Sequence, residues 1–189
     1  MTGKETPNRR RLPPSKLAPK ILCKAYVPSE FPIGREGERL RWKHSDEMVG
    51  VAKHLLESDF QLTSFEAPLN GGRIDLVVRA PDGQKVGVEV KSHRGELREL
   101  DKIQGALYWT PQLDRIAVAN RRAMLFLTPE YVGEVKTAGN MTAEFLEKQP
   151  DLASVTYTPH KDVCRTCRNR DCPYLRNPSF SYMEEGFTD

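Results

Sequence analysis

Asp75, Glu89 and Lys91 are residues whose types and spacing could do chemistry together. Asp75 lies in RIDLVVR (73–79), the other two in KVGVEVK (85–91), and APDGQ (80–84) separates the two runs. If Pro81-Asp82-Gly83 is a three-residue hairpin loop, Gly83 takes the left-handed bulge position and Pro81 presets the first torsion angle. That loop pairs Val78 with Val86, Leu76 with Val88 and Ile74 with Val90, so apolar meets apolar. It also sets Asp75 opposite Glu89, with Lys91 one step along. A two-residue loop puts Asp75 across from Val90 and mixes the faces.

Carboxylates facing each other on adjacent strands repel. They become favourable when a divalent cation sits between them, and hard oxygen ligands suit magnesium or manganese. Such an ion holds a phosphate oxygen and lowers the pKa of a water that attacks phosphorus. Lys91 is then placed to orient the water or to stabilise the charge developing on a pentavalent phosphate. The plainer alternative is a salt-bridged, exposed sheet face.

Cysteine supplies a second chemistry. Cys164, Cys167 and Cys172 form C-x2-C-x4-C, and Cys23 stands 141 residues earlier. Clustered cysteines in a chain expected to be intracellular indicate a metal rather than a disulfide. A tetrahedral site or a cubane needs four thiolates, and Cys23 completes the count. The spacing accommodates structural zinc or an iron–sulfur cluster, and Cys23 could also be an inert core thiol. Arg165, Arg168 and Arg170 beside the ligands are expected to lower thiol pKa values.

These groups need elements to position them. The spacing predicts a helix over about 36–58 with an apolar stripe of Leu40, Met48, Val51 and Leu55. His44 falls on that stripe and His54 about 80° off it, so His44 is the better candidate for a third metal ligand and His54 the weaker one. A second helix is expected over about 95–109, with Leu97, Leu100 and Leu107 buried. Gln104 and Tyr108 share its face at i and i+4. A buried glutamine must satisfy both ends of its amide, and either a DNA phosphate or base, or a neighbouring strand's backbone, could do so. Lys102 is expected to face solvent. SFEAPL (64–69) before the turn signal Asn70-Gly71-Gly72, DRIAVAN (114–120) and AMLFLTP (123–129) read as strands, and MTAEFLEKQ (141–149) as a helix. The sum is an α/β domain, a mixed sheet flanked by helices.

No apolar run approaches the roughly 20 residues that span a bilayer, so a cytoplasmic protein without membrane association is expected. Residues 1–20 carry six basic side chains against Glu5, together with four prolines. They read as a flexible basic segment, either a nucleic-acid-binding arm or a solvated tail. Residues 21–177 then hold the folded domain and 178–189 a tail.

Asp75, Glu89-Val90-Lys91 and Gln104-Gly105-Ala106-Leu107-Tyr108, in that order, resemble the P-D-(D/E)-x-K nuclease superfamily and its RecB-type branch, marked by Q-x3-Y after the lysine. One cysteine before this core and three after it are similar to the iron–sulfur nucleases: AddB-type helicase–nucleases and the CRISPR-associated RecB-like exonuclease, the fourth Cas family. The short chain, without a helicase segment, favours the latter. The last cysteine spacing, x4, is about one residue shorter than that family's.

The resemblance covers about Cys23 to Cys172. It implies a restriction-endonuclease-like core with metal ligation by His44, Asp75, Glu89 and the Val90 carbonyl. Lys91 becomes the catalytic lysine, and Gln104 and Tyr108 become site and DNA contacts. Cys23, Cys164, Cys167 and Cys172 become ligands of a [4Fe-4S] cluster joining the N- and C-terminal segments. The implied activity is magnesium- or manganese-dependent exonucleolytic cleavage of single-stranded DNA ends, in prespacer processing beside the Cas integrase complex. The alternatives are a repair or recombination nuclease of the same superfamily outside CRISPR, and a non-catalytic, zinc-binding nucleic-acid-binding module.

Overall fold

The computed structural model describes residues 12–28, 34–148, 155 and 157–176. Two helices come first, α1 (Pro14–Leu22) and α2 (Arg35–Glu57). Three strands follow, β1 (Gln61–Leu69), β2 (Gly72–Arg79) and β3 (Lys85–Val90). Next are α3 (Glu99–Tyr108), β4 (Arg115–Ala119), β5 (Met124–Phe126) and α4 (Pro129–Glu147). Two single turns, α5 (Lys161–Cys164) and α6 (Pro173–Arg176), end the described chain. The strands form one sheet in the order β1-β2-β3-β4-β5. Its pairs are antiparallel except β3–β4, which is parallel and needs the α3 crossover. The expected mixed α/β sheet with flanking helices is therefore present.

Turn chemistry sets the register. Asn70 and Gly71 both have positive φ, 49° and 79°, and close a two-residue hairpin between the paired Leu69 and Gly72. At the next turn the Gly83 amide donates to the Ala80 carbonyl, and Gly83 has φ 85°. Val78 pairs with Val86 and Leu76 with Val88, as the three-residue loop requires.

Ile74 departs from the expected pattern. Leu76 and Val78 pack with Val86, Val88 and Val90 beneath Met48, Val51 and Leu55 of α2. Ile74 instead joins Val77, Leu113 and Ile116 in the opposite core, under α1, α3 and α4. The ordered ladder ends at Leu76–Val88 because the Val90 amide donates to the Asp75 side chain, 2.7 Å, rather than to β2 backbone. Freed from the ladder, Ile74 fills the space left by the missing side chain of Gly87. A Cβ there would stand 2.7 Å from both Ile74 Cδ1 and Leu113 Cδ1. Gly87→Ala is accordingly expected to cost about 1–3 kcal/mol by overpacking, read as a lowered midpoint in denaturant.

Other boundaries move. Residues 14–20 are not a flexible segment: Pro14 sits in the first helical turn, where its missing amide costs nothing, and Ala18 is fully buried against α3 and α4. Residues 1–11 lie outside the described residues, as does the tail at 178–189. Leu40 stays 36% exposed because α2 packs into the core mainly from Glu47 onward. α3 starts at Glu99 rather than near residue 95. The preceding loop is held by Asn120 Nδ2 donating to the Gly95 carbonyl, 2.9 Å, and the Arg98 amide donates to Asp101. β5 is three residues rather than seven. The helix expected at 141–149 is the end of a 19-residue α4, which begins at Pro129 with Thr128 as its cap.

Candidate active site and thiol cluster

α2, β2, β3 and α3 meet at one group of polar side chains. From α2, His44 Nε2 lies 3.0 Å from Asp75 Oδ1 on β2. Asp75 Oδ2 accepts from the Val90 amide. Lys91 follows β3 and its Nζ donates to Glu89 Oε1 at 3.0 Å and to Gln104 Oε1 at 2.8 Å. Gln104 closes the triangle, its Nε2 donating to the same Glu89 oxygen at 2.6 Å. One turn on, Tyr108 is buried, close to Gly72 at the start of β2.

Asp75, Glu89, Lys91, Gln104, Tyr108, His44 and Val90 thus stand together. His54 does not: it is exposed and pairs with Glu57 at 3.3 Å, one turn along α2. Lys102 is likewise outside the group, paired with Glu99 at 2.9 Å. Gln104 satisfies both ends of its amide within the protein, so neither DNA nor strand backbone is needed for that purpose.

The carboxylates of the group are buried, while His44, Lys91 and Gln104 are half-buried. Glu89 is 4% exposed and Asp75 9%. Burial is the largest influence on the Glu89 carboxyl and pushes it up to about 7, with the charge of Asp75 adding to the rise. The Lys91 ammonium opposes this without overcoming it. The bond to Asp75 raises His44, so its imidazole favours the protonated form. Burial also raises the Tyr108 phenol, which stays protonated at neutral pH.

Glu89 Oε2 is buried and has no hydrogen-bond partner. An unpaired buried carboxylate oxygen is costly, and a bound divalent cation would give it a partner. The Asp75 and Glu89 carboxylates are oxygen donors that suit magnesium or manganese, and His44 would join them only by giving up its proton. Among the described residues, no three or more His, Cys, Asp or Glu side chains already stand as a group able to hold a metal. That holds for the four cysteines too; at the carboxylates the donors are occupied by competing contacts, His44 on one Asp75 oxygen, the Val90 amide on the other, and Lys91 on the paired Glu89 oxygen.

All four cysteines are free thiols and line one cavity of about 10 Å³, with Ala25, Tyr26, Tyr157 and Val163 among its walls. The segments around residues 25–27 and 168–169 are joined there by one backbone and one side-chain hydrogen bond. The Arg168 amide donates to the Val27 carbonyl at 2.9 Å, and Asn169 Nδ2 to the Ala25 carbonyl at 2.8 Å. Burial pushes the Cys164 thiol up, contrary to the lowering expected from nearby arginines, and the other three thiols add to the rise. A cation acting on the thiols is Lys20, whose ammonium feels Cys23 and Cys167 and donates to the Tyr26 carbonyl at 2.9 Å. Sequence reading missed it because it lies in a segment taken as flexible.

Also missed was His93, whose Nε2 lies 2.7 Å from Asp101, a residue only 2% exposed. Asp101 also accepts from Arg98, and Lys91 and Arg98 lower its carboxyl against an opposing burial effect that is the largest of its influences. The signal was legible: Asp101 precedes Gln104 by one helical turn, so α3 turns one face toward both His93 and Lys91.

No described helix is long and apolar enough to cross a membrane. No family model matches the chain, and no curated protein matches it.

Proposed function

We propose that the chain is a magnesium- or manganese-dependent DNA exonuclease that acts on single-stranded ends. We further propose that a [4Fe-4S] cluster on the four cysteines ties its termini together, and that it processes prespacers for a Cas integrase. The observation that carries the catalytic part is the unpartnered Glu89 Oε2 beside Asp75, His44 and Lys91. His44, Asp75, Glu89 and the Val90 carbonyl would hold the divalent ion. When bound, the ion supplies Lewis acidity toward a phosphate oxygen and a water.

The chain's own groups do the rest. Lys91, anchored by Gln104, keeps an ammonium beside the carboxylates, where it stabilises charge developing on the phosphate. Gln104 fixes Glu89 and Lys91 relative to each other. Tyr108, protonated, lies on the following turn of the same helix. The four thiols, in an apolar pocket without carboxylate or imidazole lining, are a donor set for soft metals. The small size of the cavity between them favours a second reading of that site as a single zinc ion.

Digestion of end-labelled single-stranded and duplex DNA tests the enzyme reading. Cleavage is expected with magnesium or manganese and is expected to vanish on chelation. Absence of cleavage with either metal ends the reading. Visible absorbance of anaerobically purified protein, with iron, sulfide and zinc analysis, tests the cluster. A colourless, zinc-loaded protein replaces it with the zinc site.

A further inference from the structure

α2 carries an apolar stripe on the side away from the core. Trp42, Val49 and Leu56 recur every seven residues and are 77%, 60% and 53% exposed. Successive members drift by only about 20° around the helix, so all three lie along one line. Met48, Val51 and Leu55 point the other way, into the sheet, and the packing partners of α2 are β1, β2 and β3. A 23-residue helix is about 34 Å long, so three large side chains at this spacing form a seam along most of its length. A line of large exposed apolar side chains on an unpacked helix face marks an interaction surface.

We propose that this seam is a self-association surface, on which α2 of a second copy of this chain packs antiparallel about a two-fold axis at Val49. In that arrangement Val49 meets itself, and Trp42 meets Leu56 of the second copy. Charge decides for this occupant. Arg39 and Glu57 lie about 80° to the same side of the seam, and at nearly equal heights above and below Val49. A two-fold axis there brings Arg39 against Glu57 of the second copy, twice. Asp46 and Lys53, also on that side and at nearly matching heights, meet in the same way. A parallel pair instead sets Arg39 against Arg41 of the second copy. Within one chain Lys53 and His54 already contact Glu57, and Arg121 holds Asp46. Those pairs are largely solvent-exposed, and the second copy adds opposite charges to each.

Sedimentation equilibrium of the full chain over a range of concentrations tests this. The wild type is expected to reach a dimer. Val49→Asp, at an exposed position that leaves the core intact, is expected to weaken association on the order of a hundredfold, two valines being lost per dimer. Arg39→Glu is expected to weaken it, and Arg39→Glu with Glu57→Arg to restore it. A parallel pairing or a different interface gives no such restoration. A wild type that stays monomeric at every concentration overturns the proposal, and so does a dimer indifferent to Val49→Asp. The first of these is also the result if the chain's own residues 1–11 or 177–189 cover the seam.

Discussion

Glu89→Gln is expected to abolish cation-dependent DNA cleavage and, at the same time, to stabilise the cation-free protein above neutral pH. The loss follows from removing an oxygen that, on the proposed function, would ligate the cation. A contribution of about 4 kcal/mol to the transition state corresponds to roughly 10³-fold in rate. The gain follows from linkage. The Glu89 carboxyl rises from 4.5 to about 7 in the fold, so the folded state binds this proton more tightly than the unfolded one. Below pH 4.5 both states hold it and it costs nothing. Between pH 4.5 and 7 the unfolded chain releases it first, and stability falls as pH rises. Above 7 the penalty levels at about 3 kcal/mol.

Glutamine keeps the shape and the acceptor for Lys91 without the charge. Its stabilising effect should therefore be absent at pH 4 and full at pH 8, measured by denaturant midpoints with chelator present. His44, also raised by its carboxylate partner, contributes in the same direction: its stabilisation is present below pH 6.5 and fades as pH climbs through its folded value. Saturating manganese should reverse the ranking, because the ion stabilises the wild type and has one fewer ligand in the variant. A variant that is less stable than wild type at pH 8 without metal, and still cleaves DNA, removes Glu89 from the site.

The register from Val78–Val86 to Leu76–Val88 was legible because two independent signals agreed, whereas the expected Asp75–Glu89 and Ile74–Val90 pairs lie beyond the end of that ladder. Pro81-Asp82-Gly83 specified the loop, and the valines of β3 specified the face. His44 was separable from His54 on helical angle alone, since one continues the buried stripe of α2 and the other does not. Convergence of four cysteines from opposite ends of the chain followed from counting ligands.

What escaped was set by tertiary contacts. Ile74 changes sides because a carboxylate, not a backbone group, takes the Val90 amide, and no periodicity reports a side chain replacing a ladder bond. α4 begins twelve residues before the expected helix because Gly133 and Gly139 weaken the local signal of its first half. Packing supplies the difference, with Gly139 allowing Leu107 of α3 within 3.0 Å of where a Cβ would be. The proline-rich start of α1 misled for a related reason: Pro14 is a breaker inside a helix but compatible with its first turn.

Lys91→Ala is expected to lower the cleavage rate by about 10²- to 10⁴-fold while leaving cation binding intact, which separates the two jobs of the site. Lys91 touches Glu89 Oε1 and Gln104 Oε1 and is the ammonium in direct contact with Glu89. Without it, burial and Asp75 act on Glu89 with less opposition, so the carboxyl rises further and keeps its proton at neutral pH. The cation-free variant thereby avoids an unpaired buried charge, and its fold should survive. Manganese must still displace that proton, so its affinity for the variant should increase with pH.

The carboxylate oxygens of Asp75 and Glu89 proposed to hold the cation remain, and a competing ammonium is gone. Thermal denaturation with and without manganese at pH 8 should therefore show a shift at least as large in Lys91→Ala as in wild type, and little shift in Glu89→Gln. Equal shifts in both variants would mean that Glu89 is no ligand. A Lys91→Ala enzyme that cleaves at the wild-type rate would mean that the ammonium only neutralises buried carboxylates, and the chemistry would then rest on the cation and its ligands alone.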